Sequence, residues 1–200
     1  MHLPAIKRSA LFELVLTVAI AVGLALALQA WAVKPYEIPS KSMEPTLSVG
    51  QRVLVNRLGT HFGDPEIGDI IVFHPPVGAE QQRCGVERPA REVCPEPVPQ
   101  ESEINFIKRV VAGPGDRLSI EDGHPIVNGV EAHEDYAQPC TDSSSCDFPK
   151  QITIPPGYYF VMGDNRPNSD DSRYWGPIPD DWVIGEAVLT YWPPNRIGLF

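Results

Sequence analysis

An uncharged apolar run near the amino terminus constrains this chain more than any other feature. Residues 14–33 read LVLTVAIAVGLALALQAWAV and contain no charged side chain. As a helix this run would be about 30 Å long, the thickness of the hydrocarbon core of a bilayer. Lys7 and Arg8 precede the run and favour an amino terminus on the cytoplasmic side. The sequence therefore predicts a short cytoplasmic segment over 1–13, a single transmembrane helix over 14–33 and an extracytoplasmic domain over 34–200.

A cleaved secretory signal is the alternative interpretation of the same run. The triplet Ala30-Trp31-Ala32 fits the small-x-small pattern of a cleavage site, and basic residues precede the run. However, the apolar core of a secretory signal usually has about 7–15 residues, and this run is longer. We therefore predict an uncleaved anchor, and self-cleavage after Ala32 stays open. Under both interpretations residues 34–200 lie outside the cytoplasm.

Composition indicates that the part after this run is rich in β-structure. Proline makes up 22 of the 200 residues, about twice the usual fraction, and proline breaks helix interiors. Short runs rich in Val, Ile, Phe and Tyr are bounded by Gly, Pro and Asp turns, which is typical of strands. These runs are 51–56, 69–73, 104–112, 151–154, 158–162 and 182–192. We predict a mainly β protein: a compact antiparallel β domain with loop or ribbon insertions at 75–103 and 131–150.

The charge balance excludes one class of partner. Residues 34–200 carry 14 basic and 25 acidic side chains. Binding to phosphate groups needs a basic face, so we predict no nucleic-acid partner.

Four cysteines lie in this same part of the chain: Cys84, Cys94, Cys140 and Cys146. An even number of cysteines in an oxidising compartment suggests disulfides. No two of them form a CxxC pair, and no histidine stands at a zinc-finger spacing, so we predict no metal site. Three pairings exist, and we favour the sequence-local one, Cys84–Cys94 and Cys140–Cys146. Free buried thiols are the alternative.

Two clusters contain residue types that can act together in nucleophilic catalysis. Residues 39–47, PSKSMEPTL, hold two serines flanked by prolines, and a plain turn would explain them as well. None of the five histidines stands in a triad context, so a serine nucleophile would need a lysine base. Lys108 lies in the apolar run INFIKRVV, where loss of hydration would lower its pKa. The alternative is a strand lysine whose amine reaches into water.

A third cluster, residues 163–173, reads GDNRPNSDDSR. So many Gly, Asx and Ser residues are typical of a loop or of a weak cation site, and the spacing does not match a calcium-binding EF-hand. We predict that Arg166 and Arg173 pair with the aspartates of this loop and thereby hold Ser169 rigidly.

In this order behind an amino-terminal apolar run, the clusters resemble the type I (leader) signal peptidases of bacteria. Residues 39–47 resemble the nucleophile box of that family, residues 106–116 its general-base box, and residues 163–173 its last box. Residues 68–73, GDIIVF, look like the strand between the first two boxes. Four collinear motifs are highly specific, and the resemblance covers the chain from about residue 36 to its end.

The resemblance implies a role for each catalytic residue. Ser42 would be the nucleophile, and Lys108 would be the general base that takes its proton. Ser169 would donate a hydrogen bond to the Lys108 amine and orient it. The Ser40 hydroxyl and the Ser42 backbone N–H would form the oxyanion hole.

Further residues would support the loop and bind the substrate. Asp171 and Arg173 would pair and fix the loop that carries Ser169. Shallow apolar pockets would admit only small side chains at positions −1 and −3 of the substrate, which gives Ala-x-Ala specificity. Their walls would be Tyr36, Ile38, Pro39, Met43, Leu47, Val53, Phe106 and Ile107. The fold that the resemblance implies is an antiparallel β catalytic domain with an appended β lobe between the general-base box and the last box. The Cys140/Cys146 pair falls where family members can carry a disulfide.

Two features depart from the pattern of the family. Pro167 stands where many members have a polar residue, and we expect it to stiffen the loop. The Cys84/Cys94 pair lies in an insertion to which the resemblance gives no role.

The resemblance implies a membrane-anchored serine endopeptidase that cleaves signal peptides from exported preproteins. It would lie in the bacterial cytoplasmic (inner) membrane as a single-pass protein, in contact with phospholipid and close to the secretion translocon. Its catalytic domain would face the periplasmic or extracytoplasmic side. It would need no cofactor and no metal. The alternatives are a dedicated processing peptidase with one or few precursors and an anchored β binding module with an inert serine.

Overall fold

The computed structural model of the protein describes residues 6–58, 63–89, 91–140 and 146–200. The first helix, α1, spans Ile6–Ala32; it begins before the predicted apolar run 14–33 and contains all of it except Val33, which begins β1. The side chains of Lys7, Arg8 and Trp31, on which the predicted orientation and cleavage site depend, lie outside the described part. Within that part no helix is long and apolar enough to cross a membrane, and the transmembrane span therefore stays a prediction.

After α1 the chain forms two antiparallel sheets. The larger sheet contains β1 (Val33–Glu37), β2 (Arg52–Asn56), β3 (Ile70–Phe73), β4 (Phe106–Ala112), β9 (Tyr158–Met162), β10 (Ile178–Pro179), β11 (Val183–Trp192) and β12 (Gly198–Leu199). Its strand order is β1-β2-β11-β3-β4-β9-β10, and β12 pairs with β11. The smaller sheet contains β5 (Arg117–Glu121), β6 (His124–Val127), β7 (Val130–Glu131) and β8 (Phe148–Thr153), in the order β7-β6-β5-β8. The prediction of a mainly β, antiparallel architecture is confirmed.

Several short helical elements follow α1 in the described part of the chain. A four-residue α2 spans Ser172–Trp175. Single 3₁₀ turns occur at Ala79–Gln81, Arg166–Asn168, Asp180–Trp182 and Pro194–Arg196.

The burial patterns explain which strands are central. Along β2 the side chains alternate, with Val53 and Val55 buried and Arg52 exposed, as expected for a strand with one face on the core. In contrast, β4 is buried from Ile107 to Ala112, because it lies between β3 and β9 in the larger sheet. A polar side chain on β4 is therefore held inside the protein, and Lys108 lies on this strand.

Segment 75–103 is a loop in which most of the described residues are exposed, but part of it packs against the body of the protein. Its described residues form no strand, but Ala79, Val93, Cys94 and Val98 are buried. Ala79 packs in the same apolar cluster as Phe73 and Trp175. The segment therefore covers the body of the protein, because these apolar side chains are removed from water only when it packs down.

The second predicted insertion, residues 131–150, is partly sheet. Glu131 ends β7, and β8 begins at Phe148. Residues 141–145, in the middle of this insertion, lie outside the described part.

The structure brings together the cysteines that are close to each other in the sequence, which is the pairing that we favoured. The Cys84 and Cys94 sulfurs lie within disulfide distance of each other, and so do the Cys140 and Cys146 sulfurs. A covalent bond within each pair remains a prediction.

Candidate active site

A buried serine and a buried lysine are in direct contact beside the central strand β4 of the larger sheet. Lys108 Nζ lies 2.7 Å from Ser42 Oγ and donates a hydrogen bond to it. Ser42 lies in the turn region between β1 and β2, whereas Lys108 belongs to the central strand β4. Only 8 % of Ser42 and 4 % of Lys108 is exposed. The fold thus joins two of the predicted residues that are 66 positions apart in the sequence.

Burial changes the acidity of the lysine. Loss of hydration lowers the pKa of Lys108 to about 8, although the negative charges of Asp171 and Asp170 act in the opposite direction. With that pKa, about a tenth of the amine is neutral at pH 7. A neutral amine at this distance can accept the proton of the Ser42 hydroxyl, which is the requirement for a general base.

Loop 163–173 holds the turn that carries Ser42. The backbone N–H of Asn165 donates to the Ser42 carbonyl at 3.0 Å, and its side-chain Nδ2 donates to the Lys41 carbonyl at 3.0 Å. Thr46 Oγ1, in the same turn region, donates to Asp164 Oδ2 at 2.6 Å. Two hydrogen bonds donated by Asn165 and one accepted by Asp164 therefore hold the turn region around Ser42.

Asp164 is in turn held by the residue that follows the lysine. Arg109 binds Asp164 through two hydrogen bonds, of 2.9 Å from Nε and 2.6 Å from Nη2, and both side chains are buried. The Arg109 guanidinium also lies 3.9 Å from the centre of the Tyr136 ring. Two-point binding of this kind fixes the angle of the carboxylate as well as its distance. It connects β4, which carries Lys108, to the loop that holds Ser42.

Ser169 is buried close to the nucleophile, and its contacts depend on a neighbouring glycine. A Cβ atom at Gly163 would lie 2.2 Å from Ser169 Oγ and 2.4 Å from the Ser42 carbonyl oxygen. Only glycine therefore fits between them. Within the described part Ser169 Oγ has no hydrogen-bond partner, so the expected bond from Ser169 to the Lys108 amine is not formed in this structure.

Asp171 and Arg173 form the expected pair. Arg173 donates to Asp171 from Nε at 2.7 Å and from Nη2 at 2.8 Å, and both side chains are fully buried. Arg173 Nη2 also donates to the Arg166 and Ser169 carbonyls. The carboxylate of Asp171 accepts a hydrogen bond from the Gly163 N–H at 3.1 Å. The pair therefore fixes both ends of loop 163–173.

Arg166 does not pair with the aspartates of this loop, contrary to the prediction. Its Nη1 lies 2.6 Å from Oε2 of Glu134, a buried residue that follows β7. Its guanidinium also donates to the Gly163 and Gly123 carbonyls. The buried partner comes from a distant part of the chain, so the local sequence could not reveal it.

Ser40 lies at the mouth of the site. Its Oγ is 3.2 Å from Ser42 Oγ. The Ser42–Lys108 pair opens into a cleft of about 540 Å³. The lining residues are Pro39, Ser40, Lys41, Ser42, Glu80, Ile104, Asn105, Phe106, Ile107, Lys108, Asn168 and Asp170.

A small apolar depression of about 30 Å³ adjoins this cleft and shares Pro39, Phe106 and Ile107 with it. Five of the eight predicted pocket residues line it: Tyr36, Ile38, Pro39, Phe106 and Ile107. Val72 and Asn105 line it as well and were not predicted. The other three, Met43, Leu47 and Val53, are completely buried and pack beneath it in one apolar cluster with Ile38 and Ile107.

No group of three or more His, Cys, Asp or Glu side chains that could hold a metal ion occurs among the residues described above. The chemistry that this arrangement supports is a hydroxyl attack assisted by an amine.

Comparisons with known proteins point to one family. A family model described as signal peptidase, peptidase S26, matches residues 11–192. Signal peptidase I of Leptolyngbya laminosa is 37% identical over 190 residues, which are 95% of this chain and 84% of that protein. Signal peptidase I of Mycobacterium tuberculosis (strain ATCC 25618 / H37Rv) is 36% identical over 228 aligned positions, which cover 96% of this chain and 76% of that protein.

Two further matches extend the comparison. Thylakoidal processing peptidase 1 of Arabidopsis thaliana is 36% identical over 82% of this chain and 43% of its own length. A crystal structure of a signal peptidase I from Enterococcus faecalis V583 aligns with a TM-score of 0.38 and 27% identity, covering 62% of this chain and 97% of that chain.

Proposed function

Because this chain belongs to the signal peptidase family, peptidase S26, and is a serine endopeptidase, we propose that it removes signal peptides from exported preproteins with Ser42 as nucleophile and Lys108 as general base. The observation that carries this proposal is the 2.7 Å contact between Lys108 Nζ and Ser42 Oγ inside the protein. A binding module would gain nothing from a lysine whose burial lowers its pKa to about 8.

The first half of the reaction forms an acyl-enzyme. The neutral Lys108 amine takes the proton of the Ser42 hydroxyl, and Ser42 Oγ attacks the carbonyl carbon of the scissile bond. When the resulting tetrahedral intermediate collapses, the C–N bond breaks. The Lys108 ammonium gives its proton to the leaving amine, which becomes the new amino terminus of the mature protein.

The second half releases the signal peptide. Lys108, neutral again, takes a proton from a water molecule that attacks the ester carbonyl. Ser42 Oγ is the leaving group and recovers its proton from Lys108. The signal peptide departs with a carboxyl group, and the enzyme returns to its starting state without a metal or a cofactor.

The oxyanion of the tetrahedral intermediate needs hydrogen-bond donors in fixed positions. We assign this role to the Ser40 hydroxyl and the Ser42 backbone N–H. Ser40 Oγ already lies 3.2 Å from Ser42 Oγ, within reach of an oxygen bonded to the attacked carbon. One such donor contributes roughly 3 kcal/mol to the stabilisation of the transition state. The hydrogen bonds from Asn165 to the Lys41 and Ser42 carbonyls hold this turn in place.

The adjoining apolar depression supports selection of small residues. With a volume of about 30 Å³ it offers room for a methyl group but not for a branched or aromatic side chain. A substrate with alanine at −1 and −3 therefore fits the surface between residues 36–39 and 105–107. We propose Ala-x-Ala specificity on this basis.

The position of the site relative to α1 supports anchoring. The turn with Ser42 begins only a few residues after β1, which follows α1 directly. We propose that α1 anchors the enzyme in the cytoplasmic membrane, with Ser42 and Lys108 on the extracytoplasmic side close to the translocon. There the signal peptide would reach the cleft from the membrane surface.

Cleavage of a defined precursor tests the proposal. Full-length protein in detergent is incubated with a model precursor bearing Ala-x-Ala, and the new amino terminus is sequenced. We expect cleavage after the second alanine by the wild type and none by Ser42→Ala or Lys108→Ala. Ser119→Ala, a buried serine in β5, and Lys150→Ala, an exposed lysine in β8, are matched controls that should retain activity. Cleavage that survives Ser42→Ala would place the nucleophile elsewhere.

The range of substrates separates the two peptidase hypotheses. A panel of unrelated precursors should be cleaved by a general signal peptidase. Cleavage of only one of them would indicate a dedicated processing peptidase. A folded wild type that cleaves none of them would support the binding module with an inert serine.

A further inference from the structure

Segment 75–103 contacts the loop that supports the catalytic pair. Gln82 Nε2 donates a hydrogen bond to Asp170 Oδ1 at 2.5 Å. The backbone N–H of Cys94 donates to the Arg173 carbonyl at 3.1 Å. At the end of α2, a Cβ atom on Gly176 would lie 2.9 Å from the backbone nitrogen of Pro97. The segment therefore packs against loop 163–173 and the residues after it at three separate points.

We propose that Gln82 is a positioning residue for the general base: its side-chain amide fixes the carboxylate of Asp170 at the edge of the catalytic cleft. This proposal rests on the proposed function for the role of Lys108. Asp170 lines the same cleft as Ser42 and Lys108, and it lies between Ser169 and Asp171 in the sequence. Within the described part Asp170 forms no ion pair, and Gln82 is the residue seen to donate a hydrogen bond to its side chain.

The charge of Asp170 is felt at the lysine. Its carboxylate favours the protonated form of Lys108 and so opposes the effect of burial on the pKa. A carboxylate that moves freely at a surface is screened by water and salt, whereas one held at a fixed place acts with a constant field. Fixing Asp170 therefore sets how readily the Lys108 amine loses its proton.

The backbone around Gln82 is itself held in place. Gln82 ends the 3₁₀ turn Ala79–Gln81 with a φ of 55°, a left-handed conformation that is unfavourable for a residue other than glycine. Its N–H is bonded to the Ala79 carbonyl, and Ala79 is buried against the cluster that contains Trp175. Two residues later Cys84 pairs with Cys94, whose N–H binds Arg173. Both sides of Gln82 are thus attached to the body, and from this position its side-chain amide donates the hydrogen bond to Asp170.

The test is a double-mutant cycle on the full-length protein in detergent, with Gln82→Ala, Asp170→Ala and the combined variant. Gln81→Ala is the matched control, because Gln81 is an exposed glutamine in the same turn with no side-chain hydrogen bond among the described residues. Two quantities are measured for each variant. One is the pH profile of kcat/KM with the Ala-x-Ala precursor, and the other is the titration of the Lys108 amine by NMR.

We expect Asp170→Ala to move the acid limb of the profile, and the titration of Lys108, to lower pH by about half a unit. Gln82→Ala should move both in the same direction by less, and below pH 8 it should raise kcat/KM by up to about 2-fold, because more of the amine is neutral. The combined variant should match Asp170→Ala alone, because Gln82 acts only through Asp170. Gln81→Ala should match the wild type.

Three results would overturn the inference. Gln82→Ala could match Gln81→Ala in both measurements, or the effects of Gln82→Ala and Asp170→Ala could add up in the combined variant. The third is a lower kcat/KM of Gln82→Ala without any shift in the titration of Lys108. The NMR titration does not depend on cleavage. If the wild type fails to cleave the precursor, the proposed function falls, and the titration still decides whether Gln82 and Asp170 control the Lys108 amine.

Discussion

Replacement of Gly163 by alanine should inactivate the enzyme by displacing its nucleophile. A Cβ atom at this position would lie 2.4 Å from the Ser42 carbonyl oxygen and 2.2 Å from Ser169 Oγ. Van der Waals contact with a backbone oxygen begins at about 3.4 Å, so the Ser42 carbonyl must retreat by about 1 Å. The Gly163 backbone cannot move away instead, because its N–H is bonded to Asp171 and its carbonyl to Arg166.

The size of the effect follows from this displacement. Misplacement of a reacting group by about 1 Å can cost about 100-fold in rate. We therefore expect kcat/KM of Gly163→Ala to fall by at least about 100-fold. Excess volume in a packed site costs about 1–3 kcal/mol of stability, so the variant should still be folded at room temperature.

The assay is cleavage of the Ala-x-Ala precursor, with kcat and KM determined separately and folding followed by thermal unfolding. Gly198→Ala is the matched control, because a Cβ atom on Gly198 would meet nothing within 4 Å. We expect the control to match the wild type in both measurements. A folded Gly163→Ala variant with wild-type kcat would refute the reasoning, since it would mean that the Ser42 carbonyl can move without consequence.

Two further predictions concern the lysine. The value of kcat/KM should rise with pH and level off above about pH 8, because only the neutral amine is a base and burial lowers the pKa of Lys108 to about 8; a profile that is flat between pH 6 and pH 9 would contradict the role of Lys108. Lys108→Met should abolish cleavage but raise the free energy of unfolding at pH 7 by up to about 3 kcal/mol, measured by chemical denaturation. In the unfolded chain Lys108 stays protonated up to its usual pKa of 10.5, whereas in the folded chain it loses its proton near pH 8. The destabilisation caused by burying the charged lysine is therefore complete below pH 8. The stability gained by Lys108→Met should vanish above pH 10.5, where the lysine is neutral in both states.

The strands rich in Val, Ile, Phe and Tyr could be predicted from the sequence, and the others could not. All six apolar runs correspond to strands, with ends that differ by up to three residues. The unpredicted strands are β1, β5, β6, β7, β10 and β12. Pro35 and Pro179 interrupt β1 and β10, but both strands lie at the ends of the larger sheet, where a missing N–H is tolerated. The position of a strand within the sheet decides whether proline is tolerated in it, and the local sequence does not reveal that position.

The two residues of the proposed catalytic pair, Ser42 and Lys108, could be predicted from the sequence to different degrees. Lys108 stands out by itself, because an apolar run on both sides places its amine inside a sheet. Ser42 is one of two serines in a turn, and only the resemblance singled it out. Hydrogen bonds from Asn165 to Lys41 and from Thr46 to Asp164 hold the turn region of Ser42 in place. They join residues more than 100 positions apart, so no local sequence pattern predicts them. The packing of segment 75–103 was missed for the same reason, since its few apolar residues are scattered among prolines and acidic side chains.

The buried ion pair between Asp171 and Arg173 affects the pKa of Lys108, the proposed base, as well as the shape of loop 163–173. Asp171 raises the pKa of Lys108, and the adjacent Arg173 guanidinium offsets part of that effect. Arg173→Met would leave the Asp171 carboxylate buried without its partner, which costs about 3–5 kcal/mol of stability and raises the pKa of Lys108.

Arg173→Met should therefore lose activity at neutral pH and recover part of it at higher pH. Arg173→Lys keeps the positive charge but gives up the two-point bond to Asp171, so its kcat should fall without a shift of the acid limb. Profiles of kcat/KM for both variants up to about pH 10 make the comparison. If Arg173→Met is inactive at every pH while it remains folded, or if its acid limb moves to lower pH, Arg173 acts through loop geometry alone and not through the charge of the base.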